Sequence, residues 1–175
     1  MITTRAELEH RVAVTSTCTD EVVEGVDLDG IVLDGVVLRG TVFRGVSARG
    51  AKIIASDLTD VALEGCDFEG ASLRGSVLIR FRAGEGVNLR AAVLDDAIAD
   101  RVDLHGADLD RASLRDAMLK DACFAGCRLE GTSFEGSFLG GADLTGARAR
   151  GASFDGTALH GAKLDGADLV EASFD

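Results

Sequence analysis

The sequence predicts an all-β solenoid built from very short strands, and three observations lead to this fold class. A large apolar residue, most often Leu or Phe, recurs at every fifth position from Leu28 to Leu78 and again from Leu89 to Phe174. A small or β-branched residue precedes each of these centres by two positions, as Val26 precedes Leu28. Glycine usually closes the unit, and proline, which would remove a ladder donor, is absent. A period of five fits neither a helix nor a long strand, so it favours short strands separated by corners.

The composition agrees with a narrow, repetitive interior. Hydrophobic residues make up 46% of the 175-residue chain, but aromatic residues only 5%, and all of these are Phe. One domain of this length can bury a core, which here must consist of small and medium side chains. The formal net charge of −12 opposes direct binding to nucleic acid or to anionic membranes. It is compatible with a basic partner surface, or with solubility alone.

Each unit contains two inward positions separated by one outward residue, which is the local period of a strand. The first units read VDLDG, IVLDG, VVLRG and TVFRG. Glycine at the end of a unit lets the chain turn a corner that a side chain would hinder. Cys66 and Cys127 occupy the small inward position, so we expect them to be reduced core residues. The four cysteines form no CxxC pair, which disfavours a zinc or redox motif.

The units GADLD, GADLT and GADLV resemble the loose A-(D/N)-L-x-x consensus of the pentapeptide-repeat family. The resemblance covers residues 26–175. It implies a right-handed quadrilateral parallel β-helix with four units per coil and about seven to eight coils stacked at strand spacing.

The repeat is interrupted once, near residues 79–88. Leu78 and Leu89 lie eleven positions apart, whereas two units span ten. The extra residue is either a bulge in a degenerate unit centred near Ala83 or part of a six-residue loop that replaces no unit. The loop would rotate all later faces by one side of the square. Exceptions in repeat proteins often lie at binding surfaces, so the candidate recognition loop comprises Arg80, Phe81, Arg82 and Glu85.

The two ends of the repeat differ. Residues 1–25 fit it poorly and are expected to cover the N-terminal end, either as a short helix over residues 6–12 or as an irregular first coil. The repeat continues to Phe174 at the other end, where the last coil would expose backbone and apolar side chains. We therefore expect a homodimer through the C-terminal coil. The candidate dimer end comprises Leu159, Leu164, Leu169 and Phe174.

With a single-residue bulge, two sides of the solenoid carry distinctive outward residues. One side, the acidic face, is interrupted by five arginines: Arg49, Arg90, Arg128, Arg148 and Arg150. A second side carries an apolar stripe, which is unusual on a surface and can mark a contact. The acidic face comprises Asp27, Asp29, Asp67, Glu69, Asp108, Asp110, Glu130 and Asp168. The apolar stripe comprises Val37, Val77, Ile98, Met118, Phe138 and Ala158.

The sequence contains no pattern typical of an enzyme, a cofactor site or a metal site. None of the three histidines, His10, His105 and His160, has a Ser or Cys partner fixed by a motif. Carboxylates on the solvent-exposed surface of a solenoid lack the pocket that would shift their pKa values for catalysis. No apolar segment approaches the ~20 residues that span a bilayer, and the N-terminus lacks a secretion signal. We therefore expect a cytoplasmic protein without membrane contact.

Two functions remain open at the level of the sequence. The resemblance implies mimicry of duplex DNA by members that bind DNA gyrase or topoisomerase IV and protect it from quinolones or related poisons. Such members often carry a C-terminal helical dimerisation segment, whereas here the repeat continues to Asp175. The alternative is a protein–protein interaction scaffold with no role at a topoisomerase. Mimicry requires a continuous negative surface, and a scaffold does not.

Overall fold

The structure is a computed structural model that describes all 175 residues, and it forms a four-sided tower of parallel strands. The chain advances by one coil every 20 residues, so Val22 pairs with Val42 and Val42 with Ala62. Three sides of the tower carry eight rungs each, which run from Thr17 to Ala158 on the side of the apolar stripe, and the fourth side gains a ninth where Ile2 bridges Val23. The predicted quadrilateral parallel β-helix is confirmed.

Regular strands are confined to the first half of the tower. One helix, α1 (Arg5–Thr15), precedes them. On one side β1, β3, β5 and β6 pair in that order, and on another β2 pairs with β4. The remaining rungs are single-residue bridges with the same parallel register. The strands are β1 (Val22–Glu24), β2 (Val32–Asp34), β3 (Val42–Arg44), β4 (Lys52–Ile54), β5 (Ala62–Glu64) and β6 (Arg82–Ala83).

The core is a single column of 52 buried apolar residues along the tower axis. Identical positions of successive coils lie on top of one another, so the column is held together by contacts between neighbouring coils. The rings of Phe134 and Phe154 stack with centroids 5.1 Å apart, and those of Phe154 and Phe174 at 5.0 Å. Phe174 ends this ladder with 48% of its surface exposed.

Small polar residues at the inward position satisfy backbone carbonyls inside the core. The Ser76 hydroxyl donates to the carbonyl of Ile53 at 3.0 Å and accepts from the N–H of Ser56 at 3.0 Å. The Cys127 thiol donates to the carbonyl of Leu104 at 2.8 Å in the same way. As predicted, Cys127 is a free, buried core residue, and so is Cys66. These groups can be buried at little cost because each has a partner.

The N-terminal residues cover the first coil. Thr4 caps α1 by accepting a hydrogen bond from the N–H of Glu7 at 3.2 Å. Leu8 of the helix is buried against the tower. The N-terminal segment is therefore the helix Arg5–Thr15, and the solenoid begins earlier than residue 26. Cys18 and Val23 are already buried centres, in the units STCTD and EVVEG, which lack the usual Leu or Phe.

The interruption is a one-residue insertion in a turn. Leu63 pairs with Ala83 twenty positions later, but Asp67 pairs with Asn88, twenty-one positions later. The extra residue therefore lies in the turn around Glu85, which glycines flank on both sides. Ala83 is a buried centre, so the alternative of a six-residue loop that replaces no unit is wrong. All later rungs stay in line with the earlier ones.

Candidate functional site

The acidic face is one side of the tower. Its rungs are Asp27, Ser47, Asp67, Asn88, Asp108, Arg128, Arg148 and Asp168, each bridged to the next. The remaining acidic residues predicted for this face, Asp29, Glu69, Asp110 and Glu130, follow these rungs by two positions. These residues lie on one side of the tower because the insertion leaves the faces aligned.

Ion pairs divide the acidic face along its length. Arg49 contacts Asp67 at 3.1 Å and Glu69 at 2.7 Å. Arg90 contacts Asp108 at 3.3 Å and Asp110 at 2.8 Å. Each of these guanidinium groups thus contacts two carboxylates of the next coil. The face does not present an unbroken negative surface.

Asp110 is the best-satisfied carboxylate on this face. It is 4% exposed and accepts from Arg90, from Arg128 and, at 2.9 Å, from the backbone N–H of Glu130. Burial raises its pKa, but the hydrogen bonds from Arg128, Glu130 and Arg90 outweigh burial and hold the pKa below the ordinary Asp value. A depression of about 130 Å³ beside it is lined only by charged residues, and Arg148 there makes no ion pair. Asp110 is therefore a structural link between coils.

The apolar stripe is continuous over the second half of the tower. Val77, Ile98, Met118, Phe138 and Ala158 are bridged in succession, whereas Asp57 separates Val77 from Val37. Ile98 and Met118 expose 45% and 47% of their surfaces. These two residues on adjacent rungs form the accessible centre of the stripe.

Phe138 is partly covered by a neighbouring coil. Its ring lies edge-on to the His160 imidazole, with centroids 5.2 Å apart. A Cβ at Gly140 would lie 2.7 Å from His160 and 3.0 Å from the Phe138 ring. Gly140 therefore makes room for this pair of rings. The sequence signal for this packing is the Gly140–Gly141 doublet, because a charged residue usually precedes the closing glycine of a unit.

The candidate recognition loop does not protrude. Phe81 is 1% exposed and fills an inward position, so it is unavailable to a partner. Arg80 forms two hydrogen bonds with Asp60, at 2.7 and 2.6 Å. Arg82 belongs to β6, and Glu85 alone lies in the inserted turn. The prediction that these four residues form a recognition loop is corrected, because the insertion is absorbed within one turn.

The candidate dimer end forms the last coil. Leu159, Leu164 and Leu169 are partly buried against the core, and Phe174 is exposed. The neighbouring Val170 exposes 49% of its surface. These residues present an apolar surface at one end of the tower.

A row of carboxylates that is absent from the predicted site residues borders the apolar stripe. These residues lie at the corner that precedes the stripe in each coil, and only Asp96 and Glu135 are paired, with Arg74 and Arg115. Counting back from each stripe residue by two or three positions would have revealed the row. We call it the acidic edge: Asp95, Asp96, Asp116, Glu135 and Asp155.

Other reactive groups are isolated or buried. Burial raises the pKa of the Cys127 thiol to about 12, which keeps it protonated and unreactive. His105 is hydrogen-bonded to Asp103 at 2.8 Å on an exposed side. No cluster of His, Cys, Asp and Glu side chains is arranged to hold a metal ion. No helix has the length and apolar character needed to cross a membrane.

The comparisons with known proteins bear on the fold. The family described as pentapeptide repeats matches residues 24–60, 56–80, 100–136, 122–161 and 137–175. A trypsin-treated variant of QnrB1, a plasmid-mediated fluoroquinolone resistance protein, has a similar structure with a TM-score of 0.50 and 19% identity, over 91% of this chain and 89% of that chain. HetL of the cyanobacterium Nostoc sp., involved in heterocyst differentiation regulation, has a TM-score of 0.39 and 25% identity, over 96% and 95%. Among curated proteins, none matches the sequence significantly.

Replacing Asp110 with Asn should destabilise the tower by about 1–3 kcal/mol at neutral pH, because two arginines lose their buried partner. The folded-state pKa of Asp110 is lowered, so its contribution is complete above the unfolded Asp value of about 3.9 and disappears as pH falls through the folded value. Urea denaturation at pH 7, 4 and 3 measures this.

The matched control is Asp168→Asn on the same face, where the carboxylate is 43% exposed and lies 3.7 Å from Arg150. We expect its cost to stay below about 1 kcal/mol. Equal costs for the two variants, or a cost for Asp110→Asn that does not change with pH, would contradict a structural role for Asp110.

Proposed function

Because the chain belongs to the pentapeptide-repeat family, we propose that it is a non-enzymatic binding protein that holds another protein against its apolar stripe. One observation carries the proposal: Ile98 and Met118 lie on adjacent rungs, and each leaves nearly half of its surface exposed. Exposed apolar residues in contact with one another mark interaction sites more often than isolated ones do.

The rigidity of the tower supports a binding role. The backbone groups on the stripe are hydrogen-bonded to neighbouring coils, as the N–H of Met118 is to the carbonyl of Ala97 at 2.9 Å. A partner therefore meets a preformed surface and loses little free energy in ordering it. Burial raises the pKa of Asp57, but hydrogen bonds, including that from Arg39, hold it below the ordinary Asp value. The hydrogen bonds from Arg80 likewise lower the pKa of Asp60. Both pKa values lie away from the near-neutral range that acid–base catalysis uses.

A photo-crosslinking residue at position 118, introduced in the cells that make the protein, should give a defined covalent adduct with a partner. The same residue at Ser113, one side away in the same coil, is the matched control and should give none. Replacing Ile98 with Asp should abolish the adduct at position 118, because the apolar contact is lost. Adducts of equal yield at both positions, or none at position 118, would refute the proposal.

A second candidate function is binding to DNA gyrase or topoisomerase IV as a mimic of duplex DNA. The net charge of −12 and the similarity in fold to a fluoroquinolone resistance protein favour it. The arginines paired along the acidic face weaken the field that such mimicry needs. DNA mimicry is therefore less well supported than the binding of a protein at the apolar stripe.

A gyrase supercoiling assay, with and without a fluoroquinolone, tests the second candidate. Mimicry predicts inhibition, or rescue from the drug, that weakens when the exposed residues Asp27 and Glu130 are replaced by Lys. These positions are chosen because Asp110 is buried and its replacement would disturb the fold. No effect in either format at tens of micromolar, a range in which even weak complexes form, would exclude the mimic.

We also propose that two copies of the chain associate through the C-terminal coil. The N–H of Leu139 donates to the carbonyl of Ala158 one coil later, but the N–H groups of Leu159 and Leu164 have no partner in this chain. Open strand edges beside exposed apolar side chains favour pairing with a second chain.

Light scattering should then give a mass twice the 18.2 kDa of one chain. The double replacement of Val170 and Phe174 by Asp should give monomers, because charges would be buried in the interface. Val32→Asp, at a residue 66% exposed near the other end, is the control and should remain dimeric. A wild-type protein that is monomeric at all concentrations would exclude this dimer.

A further inference from the structure

We infer that the ligand of the apolar stripe is an amphipathic α-helix with basic side chains along one flank, lying parallel to the tower axis. The inference rests on the proposed function, since it assumes that a protein docks on the stripe. It goes further by specifying the secondary structure, the direction and the charge of the docked segment.

The backbone of the stripe excludes an added β-strand. The carbonyl of Ile98 accepts from Leu78 at 2.7 Å, and that of Met118 accepts from Ala99 at 2.7 Å. Their N–H groups donate to the preceding coil at 3.0 and 2.9 Å. Strand addition requires a free row of donors and acceptors, which this side lacks. A helix satisfies its own backbone and needs only side-chain contacts.

The spacing of the rungs fits a helix laid along the tower. Ile98 and Phe138 are two rungs apart, or about 10 Å at strand spacing. Residues i and i+7 of a helix are also separated by about 10 Å along the axis. Apolar residues at i, i+3 or i+4, and i+7 would therefore lie over Ile98, Met118 and Phe138 in turn. The Met118 side chain, which is unbranched and flexible, can adapt to irregular apolar partners.

The negative charge beside the stripe favours a helix that carries basic side chains along one flank. Asp95, Asp116 and Asp155 of the acidic edge have no cation within 4 Å. On the opposite edge, Arg101 and Lys120 alternate with Asp100 and Asp121, so that edge is close to neutral. A helix with Lys or Arg facing the acidic edge gains electrostatic complementarity and a faster encounter with a chain of net charge −12.

Asp116 is available for this contact. It occupies a corner with φ of 55°, a left-handed conformation that most side chains adopt only at a cost. Its carboxylate approaches the position where a Cβ at Gly136 would lie, at 2.5 Å, so the glycine leaves it room. Asn tolerates the same conformation, so Asp116→Asn removes the charge while keeping the backbone.

The experiment uses the full chain and three synthetic 18-residue peptides as probes. The first is an amphipathic helix with Leu on one face and Lys along one flank. The second carries Glu in place of each Lys, and the third has the composition of the first in a scrambled, non-amphipathic order. Fluorescence anisotropy at low and high salt should show the first peptide binding at least ~10-fold more tightly than either control.

Two pairs of variants locate the binding site. The double replacement Ile98→Ser and Met118→Ser should weaken binding of the first peptide at least ~10-fold, because the apolar face of the peptide loses its contact. The double replacement Asp116→Asn and Asp155→Asn should weaken binding of the first peptide about 3–10-fold and reduce the salt dependence of that binding. The matched control, Asp27→Asn with Asp168→Asn, removes the same charge from the acidic face and should change affinity less than about twofold. Circular dichroism confirms that each variant is folded.

The outcomes separate this inference from the proposed function. If the serine variant abolishes binding but the Lys and Glu peptides bind equally, the basic flank is wrong and the apolar docking surface stands. If no peptide binds while position 118 still crosslinks to a cellular protein, the helix is wrong and the proposed function stands. If the control variant weakens binding as much as the acidic-edge variant, the attraction is general and the inference is overturned.

Discussion

The backbone ladder between coils is the constraint on which the rest of the molecule depends. Before the last coil, the N–H of the central residue donates to a carbonyl of the next coil, as Leu119 does to Phe138 at 2.8 Å. The bond fixes the advance of 20 residues per coil, and therefore which side chains lie on top of one another. Because every pair of coils repeats the same ladder, stability is close to a sum of nearest-neighbour terms. Proline at a central position has no N–H and would remove one of these bonds.

The same ladder organises the surface into columns. Outward residues of successive coils lie about 4.8 Å apart, so like charges in one column repel and opposite charges attract. Arg90 and Arg128 converge on Asp110 from the coils on either side. From Val77 to Ala158 the column of the apolar stripe has no charged residue, so this part can contact a partner without breaking an ion pair. The geometry that neutralises the acidic face therefore leaves the stripe accessible.

The sequence was sufficient to predict the fold and the membership of each column. A five-residue period specifies which residues point inward, and the centres from Leu28 to Phe154 are buried accordingly. It was insufficient at Cys18 and Val23, where the unit lacks its usual large centre. It also misassigned Phe81, because an insertion of one residue leaves open where the chain absorbs the change. The five-residue period does not predict the ion pairs either, because they depend on the rotamers of arginines in neighbouring coils.

The one-residue insertion has a consequence for recognition. If it had displaced a whole unit, the first and second halves of the tower would present different sides to one partner. The turn at Glu85 absorbs the extra residue, and Val77 still precedes Ile98 in the stripe. The corner before the stripe likewise continues from Arg74 to Asp95 and Arg115, with Arg74 and Asp96 paired across the insertion at 3.1 Å. A partner as long as several coils can therefore contact one uninterrupted column of side chains.

The corner before the stripe becomes net negative only beyond the insertion, where Ile98 and Met118 are also exposed. Charge and apolar surface thus coincide in the second half of the tower, and a partner that uses both must dock there.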